Sequence, residues 1–418
     1  MREIQNRPIT DSTVTVPGSK SYTHRSLIAA ALSDGTCELA NCLDSEDTRL
    51  TRKALAQMGV KIIEGRDTIT IHGMGGALSP ASGPIYLGNS GTSMRLLAGV
   101  AALGKGVYTL TGTERMAERP VGDLLDSLVQ LGVDARSVKN NGCPPIEIHG
   151  GEVPGGKADL KCEISSQYLS SLLLAGPYMK NGLDVSVIEG PVSKPYIDMT
   201  VDIMTDFGVA VDRDGYNRFQ VAPGQCYKSG PYRVESDASQ ASYFWAAAAV
   251  TGQTVKVLGM SEDSRQGDVG LLKVLSQMGC RVTQDKDGVA VTGGDLSAVT
   301  VDMADMPDVV PTLAVVAAFA KGTTRIYNVA HLKAKESDRL SAVANELTKM
   351  GISAACEDDG LFITGGSPHG AEIETYDDHR IAMSFAVAGL RVSGISIRNE
   401  QCVEKSFPDY WDVFDSLY

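Results

Sequence analysis

The chain has 418 residues, more than one compact core holds and a length that fits two or three domains. Hydrophobic residues make up 43% and charged residues 21%, a globular balance that excludes a disordered chain. Lys and Arg total 38 against 51 Asp and Glu, so the formal charge of −13 excludes non-specific binding to nucleic acid or to a membrane surface.

Residues Arg2 to Gly18 read as strand, turn and strand, ending Val14-Thr-Val-Pro-Gly18, with no apolar signal core. Lys20 to Gly35 follows as a polar cluster, an Ala-rich helix and a glycine. The helix body, Leu27-Ile-Ala-Ala-Ala-Leu32, is hydrophobic nearly all round and predicts a buried helix. The same form returns at Ser90–Gly106, Ser165–Gly182, Asp237–Gly252, Pro307–Gly322 and Asp377–Gly394, and the terminal glycines step by 71, 76, 70, 70 and 72 residues. A glycine there predicts a left-handed stop. Between these segments amphipathic helices close on Gln57-Met-Gly-Val60, Gln130-Leu-Gly-Val133, Asp206-Phe-Gly-Val209, Gln277-Met-Gly-Cys280 and Lys349-Met-Gly-Ile352. A strand, a polar turn and a second strand follow each, as in the alternating runs Ile69–Gly73, Ile146–Gly150 and Val289–Gly293. The longest nearly apolar run, Val309 to Ala320, is too short to span a bilayer.

One unit is thus helix, strand, helix and a strand pair. The sixth copy is cut short, because its second helix, around Asp409 to Leu417, meets the end of the sequence. The strand pair at Arg2–Gly18 is expected to complete it as a hairpin. The chain then reads as α/β, with two similar domains of three repeated βαβαββ-type units around buried parallel helices. The boundaries fall at 1–18 plus 235–418 and at 19–234.

Three buried helices per domain bring three N-termini to one face. Each end carries unpaired N–H groups and about half a positive charge, and together they would attract anions. Capping accounts for many of the Ser, Asn and Asp residues there. It does not account for Lys20, Arg25, Arg95 and Arg380, since cations oppose the dipole at a helix start. An anionic ligand gives them a purpose. Arg119 precedes Pro120 at another helix start; Lys335 and Arg339, four apart, are expected on one helix face; Lys405 stands in a loop.

Cys37, Cys42, Cys143, Cys162, Cys226, Cys280, Cys356 and Cys402 form no Cys-x-x-Cys pair. They read as buried small hydrophobes of a reducing cytoplasm, with no metal site expected. Gly18-Ser-Lys20-Ser21 imitates the end of a phosphate-binding loop but lacks its first glycine. No dinucleotide fingerprint is present, so no dinucleotide cofactor is indicated, and there is no Gly-x-Ser-x-Gly elbow.

The strings VPGSKSYTHR (16–25), LGNSGTSMRLL (87–97), RMAERPVGDLLDSL (115–128), ISSQYLSSLL (164–173), SKPYIDMT (193–200), DASQASYFWAAAA (237–249), KAKESDRL (333–340), DDHRIAM (377–383) and EKSFPDYW (404–411) resemble the 5-enolpyruvylshikimate-3-phosphate synthase family from end to end. The resemblance implies an inside-out α/β barrel in each domain and an active site in the interdomain cleft. It implies transfer of the enolpyruvyl group of phosphoenolpyruvate to shikimate 3-phosphate, two small anionic substrates, in a reaction that requires no metal or redox cofactor. By the same resemblance Lys20, Ser21, Arg25, Ser165, Ser166, Gln167, Ser193, Asp308 and Lys335 contact shikimate 3-phosphate. Lys20, Gly91, Arg119, Gln167, Arg339, Arg380 and Lys405 contact phosphoenolpyruvate. Asp308, Glu336 and Lys20 match the catalytic positions, Asp308 as proton acceptor and Glu336 as the carboxylate exchanging protons with the substrate carbon. A cytoplasmic monomer and a family in which the herbicide glyphosate competes with phosphoenolpyruvate belong to the same expectation, with sensitivity of this chain left open. His331 departs from the Asn of many bacterial members, and Leu96 follows Arg95 where one common branch has Pro.

Two alternatives share the scaffold. The sibling carboxyvinyltransferase acting on UDP-N-acetylglucosamine carries a reactive Cys in the loop before an Arg-Pro, and Thr111 to Arg119 contains none. A non-catalytic phosphometabolite sensor could dispense with the carboxylates, yet Asp308 and Glu336 are both present.

Overall fold

The computed structural model describes residues 1–418, a mixed α/β chain. It divides into two compact units. One is inserted, Gly18–Glu235; the other is terminal, Met1–Pro17 with Ser236–Tyr418.

Three nearly apolar helices form the centre of the inserted unit: α1 (Lys20–Leu32), α2 (Gly91–Leu103) and α3 (Gln167–Ala175). Each buries every residue but one: Ser21, Thr92 and Gln167 respectively. Burial of a Leu or Ile contributes about 1.5–3 kcal/mol, so Leu27, Ile28, Leu32, Leu96, Leu97, Leu172 and Leu173 anchor this core. Helices α2 and α3 approach closely at Gly99, whose N–H donates to Ser171 Oγ at 3.0 Å. A Cβ on Gly99 would stand 2.6 Å from the Ser171 carbonyl oxygen.

Three four-stranded sheets belong to this unit. In the first, Pro231–Arg233 runs parallel to Thr36–Ala40, which pairs antiparallel with Thr68–His72 and, through it, with Lys61–Glu64. The other two repeat that order, with parallel pairs at Ile85–Tyr86 beside Gly106–Thr111 and at Gly156–Lys161 beside Leu183–Glu189.

The terminal unit repeats the scheme with α4 (Ala238–Thr251), α5 (Val310–Ala317) and α6 (His379–Gly389), buried along almost their whole length. Its third sheet has three strands, Arg2–Glu3, Ser396–Ile397 and Glu372–Ile373, in keeping with a truncated sixth copy.

The expected N-terminal hairpin does not form. Arg2–Glu3 pairs antiparallel with Ser396–Ile397, but Ser12–Thr15 runs parallel to Thr254–Leu258 in a different sheet. Between them Ile4 and Ile9 insert into the core and separate the two strands. Ser12–Thr15 and Pro231–Arg233 are therefore equivalent edge strands. Each directly precedes a crossing between units and pairs with the strand that follows the first central helix of its own unit.

The glycines also sort differently from expectation. Only Gly252 caps its central helix directly in the left-handed conformation, at φ 81°. Gly106, Gly182, Gly322 and Gly394 have positive φ a few residues beyond their helices, whereas Gly35 does not, and there a Cβ would meet Ser229 Oγ at 2.6 Å. Of the eight free cysteines Cys37, Cys162 and Cys280 are buried, while Cys226 and Cys356 are exposed in a loop and at the end of an edge strand, where no core needs filling. No helix is long and apolar enough to cross a membrane.

Candidate active site

In the inserted unit the polar residues gather at the starts of the three central helices. The Ser19 and Ser90 hydroxyl oxygens cap α1 and α2, each accepting a backbone N–H at 3.4 Å. Lys20 opens α1. Its ammonium is buried and lies 3.3 Å from Oδ2 of Asp47, which is 2% exposed on the helix Glu46–Gln57.

One turn on, Arg25 is 1% exposed and held on several sides. Its Nε donates to Thr200 Oγ1 at 2.7 Å. Nη1 donates to the Ser21 carbonyl at 2.9 Å, and Nη2 to Ser170 Oγ at 3.2 Å and the Tyr196 carbonyl at 3.0 Å. Every one of these acceptors is neutral. Burial therefore lowers the guanidinium pKa to about 10, with only the phenols Tyr196 and Tyr22 working against it.

Arg95, on α2, donates to Gln167 Oε1 at 3.0 Å and reaches Ser165 Oγ at 3.5 Å, while Gln167 Nε2 donates to Thr92 Oγ1 at 2.9 Å. Gln167 is thus fixed from both ends across α2 and α3. Arg119 donates through Nη1 to the Asn89 backbone carbonyl at 2.8 Å and side-chain Oδ1 at 3.1 Å. A Cβ on Gly91 would lie 2.4 Å from Arg119 Nη2, so this glycine makes room for the guanidinium. Ser165, Ser166 and Ser193 are buried, Ser193 in the left-handed conformation at φ 54°.

In the terminal unit the charged groups form one network. Asp308 lies in the turn Pro307–Val309 that leads into α5. Arg339 opens the helix Arg339–Lys349, capped by Asp338, and Arg380 is the second residue of α6, capped by Asp378. Asp308 joins the two arginines: Arg339 Nη1 donates to its Oδ1 at 2.9 Å, and Arg380 Nη2 to its Oδ2 at 2.6 Å. Arg339 also donates to Asp378 Oδ2 at 2.8 Å and to Glu336 Oε2 at 2.8 Å. Burial disfavours its charge, but Asp378, Glu336 and Asp308 outweigh burial and raise its pKa above the ordinary value.

Lys335 does not share a helix face with Arg339. It ends the preceding 3₁₀ turn in an extended conformation, because Asp338 caps the helix one residue before Arg339. Lys405 closes the turn Glu400–Lys405 and is buried. His331 is half-buried; burial first, then the Lys335 charge, push its pKa down to about 3, so the imidazole is neutral at physiological pH.

Asp308, Glu336, Arg339 and Arg380 therefore meet in one cluster of the terminal unit. Lys20, Ser21 and Arg25 share α1, Ser165, Ser166 and Gln167 share the start of α3, and Gly91 faces Arg119. Sequence reasoning passed over Asp47, Thr200, Ser239 and Asp268. Asp47 had a signal in Ser45-Glu-Asp-Thr48, a capping box that places it in the first turn of its helix. The other three carry none, since their roles come from packing between distant segments.

The arrangement can hold polyanions and move protons. In the inserted unit, Arg25, Arg95 and Arg119 set among neutral oxygens offer positive charge, while Lys20 is balanced by Asp47. In the terminal unit, a carboxylate between two arginines offers a base with fixed orientation. The sequence model of the family described as EPSP synthase (3-phosphoshikimate 1-carboxyvinyltransferase) matches residues 5–414. A 3-phosphoshikimate 1-carboxyvinyltransferase of Syntrophobacter fumaroxidans is 45% identical over 407 residues, covering 97% of this chain and 96% of its own. One from Methanoculleus marisnigri is 44% identical over 416 residues, covering 99% and 98%. Among solved structures, an EPSP synthase from Acinetobacter baumannii superposes with a TM-score of 0.83 at 32% identity, covering 99% of this chain and 97% of that one.

Proposed function

Because the chain belongs to the EPSP synthase (3-phosphoshikimate 1-carboxyvinyltransferase) family, we infer that its two polar clusters divide the work of one reaction. That reaction moves the enolpyruvyl group of phosphoenolpyruvate onto the 5-hydroxyl of shikimate 3-phosphate and releases phosphate. It is a step of the shikimate pathway toward the aromatic amino acids.

Lys20, Ser21, Arg25, Ser165, Ser166, Gln167 and Ser193, with Asp308 and Lys335, take shikimate 3-phosphate. Lys20, Gly91, Arg119, Gln167, Arg339, Arg380 and Lys405 take phosphoenolpyruvate. The 5-hydroxyl attacks carbon 2 of phosphoenolpyruvate and loses its proton, while carbon 3 gains one. The tetrahedral adduct then loses phosphate and the added carbon 3 proton. Asp308 accepts the hydroxyl proton and Glu336 exchanges the proton at carbon 3. The arginines and Lys20 stabilise the carboxylate and phosphate charge of the adduct.

The observation that carries this reading is the grip of Arg339 and Arg380 on the two Asp308 oxygens, at 2.9 and 2.6 Å. It orients a carboxylate at a helix start beside the groups that would receive an anion. Phosphate release from the purified protein, assayed with both substrates together and with each alone, tests it. Release only with both supports the reading, and no release with both overturns it. The chain acts as a monomer in the cytoplasm. Its negative charge and two self-contained hydrophobic cores support this, and light scattering on the purified protein measures its mass.

A further inference from the structure

Behind the arginine–carboxylate cluster lies a second acid. Asp268 sits in the 3₁₀ turn Gly267–Val269, packed on α4 and 4% exposed. The Ser239 hydroxyl, in the first turn of α4, donates to Asp268 Oδ2, while Asp268 Oδ1 accepts no hydrogen bond. The same Ser239 oxygen accepts from Arg380 Nη2 at 3.5 Å, and Arg380 Nη1 reaches Tyr243 Oη at 3.4 Å. Arg380 is therefore held from behind by the Asp268–Ser239 pair and Tyr243, and in front by Asp308.

We propose that Asp268 is a positioning residue of the reaction: through Ser239 it fixes the Arg380 guanidinium toward the phosphoenolpyruvate anion, and it takes up a proton when that anion binds. The proposal rests on the assignment of Arg380 to phosphoenolpyruvate. The charge balance gives the reason. The groups around Asp268 are Asp308 on the turn before α5, Arg380 on α6, and Asp237 and Ser239 at the start of α4. Burial, then the Asp308 charge, push the Asp268 carboxyl up to about 7, against the pull of Arg380 and Ser239. Near neutral pH Asp268 thus changes charge readily, and Oδ1, which accepts no hydrogen bond, can take the proton without breaking one. A further anion placed against Arg380 raises the proton affinity of Asp268 again, so binding and protonation favour each other.

The sign of the pH effect follows. Above about pH 7 Asp268 is ionised and repels the incoming anion. Asp268→Asn keeps an oxygen for Ser239 and removes the titration. The ratio of wild-type KM to Asp268→Asn KM for phosphoenolpyruvate is expected to grow about threefold from pH 6 to pH 8, and the ratio cancels the titration of the substrate itself. Asp268→Ala removes the anchor and is expected to raise the KM for phosphoenolpyruvate about tenfold over wild type at pH 6, the worth of one hydrogen bond to a charged group, and only about threefold at pH 8, where the ionised carboxylate weakens the wild type, with kcat changed far less. Arg380→Ala is run beside them. A raised KM in Arg380→Ala with a flat Asp268→Asn ratio overturns the role of Asp268 alone. An unchanged KM in Arg380→Ala overturns the assignment of Arg380, and the proposal with it.

Discussion

Arg25 and Arg339 are equally buried, each 1% exposed, at the starts of helices in corresponding halves of a repeated fold, yet their environments are opposite. Arg25 touches only hydroxyls and backbone carbonyls, and burial lowers its pKa to about 10. Arg339 touches three carboxylates, which raise its pKa against burial. Neutral acceptors orient a guanidinium and leave its charge uncancelled, so the inserted unit keeps positive potential for a ligand. Carboxylates cancel the charge, so an anion entering the terminal cluster must displace Asp308 or be balanced by a proton. The contrast fits the proposed division between a half that binds and a half that also carries the acid–base groups.

Breaking the terminal cluster at Asp308 has the largest expected effect. Asp308→Asn removes the proton acceptor, and turnover is expected to fall roughly 100- to 10,000-fold. It also frees Arg339 and Arg380 from a competing negative charge, so the KM for phosphoenolpyruvate is expected to fall rather than rise. Steady-state kinetics separate the two. A variant with more than half of wild-type turnover would remove Asp308 from the chemistry.

Replacing each buried arginine by Met sharpens the contrast through stability. Arg339→Met removes the guanidinium shared by three carboxylates, of which Asp308 keeps Arg380, and is expected to cost about 3–5 kcal/mol. Arg25→Met takes a donor from neutral acceptors, of which Tyr196, Thr200 and Ser170 still bond one another, and is expected to cost about 1–3 kcal/mol. Urea unfolding of both proteins measures the difference, and equal costs would contradict the assigned environments.

Gly91→Ala is expected to do least. Its methyl group displaces the flexible end of Arg119, so the KM for phosphoenolpyruvate rises about tenfold, or 1.4 kcal/mol, with shikimate 3-phosphate affinity kept. Parallel loss of both substrates would indicate damage to α2 instead.

Much of this arrangement is legible in the residues. Hydrophobicity on all faces marks the buried helices, and cations set against the dipole at Lys20, Arg25, Arg95 and Arg380 mark the polar ends. The five glycines that close the outer helices, Gly59, Gly132, Gly208, Gly279 and Gly351, all have positive φ. Illegible are the features decided by distant segments. Ser12–Thr15 reads as a strand, but local pattern cannot say that it joins Thr254–Leu258 instead of Arg2–Glu3. The helix-forming run at 333–340 suggests one face for Lys335 and Arg339, and the cap at Asp338 decides otherwise. Ser239 and Asp268 are ordinary in sequence and matter only through what packs around them.

The division between the halves is tested most directly by the affinity of shikimate 3-phosphate alone, titrated calorimetrically into wild type, Arg25→Met and Asp308→Asn. Arg25→Met is expected to bind at least about tenfold more weakly, the worth of a lost hydrogen bond to a charged group. Asp308→Asn keeps an oxygen that can accept from the 5-hydroxyl and is expected to stay within about threefold of wild type, or about 0.7 kcal/mol. Wild-type affinity in Arg25→Met, with loss in Asp308→Asn, would contradict the division.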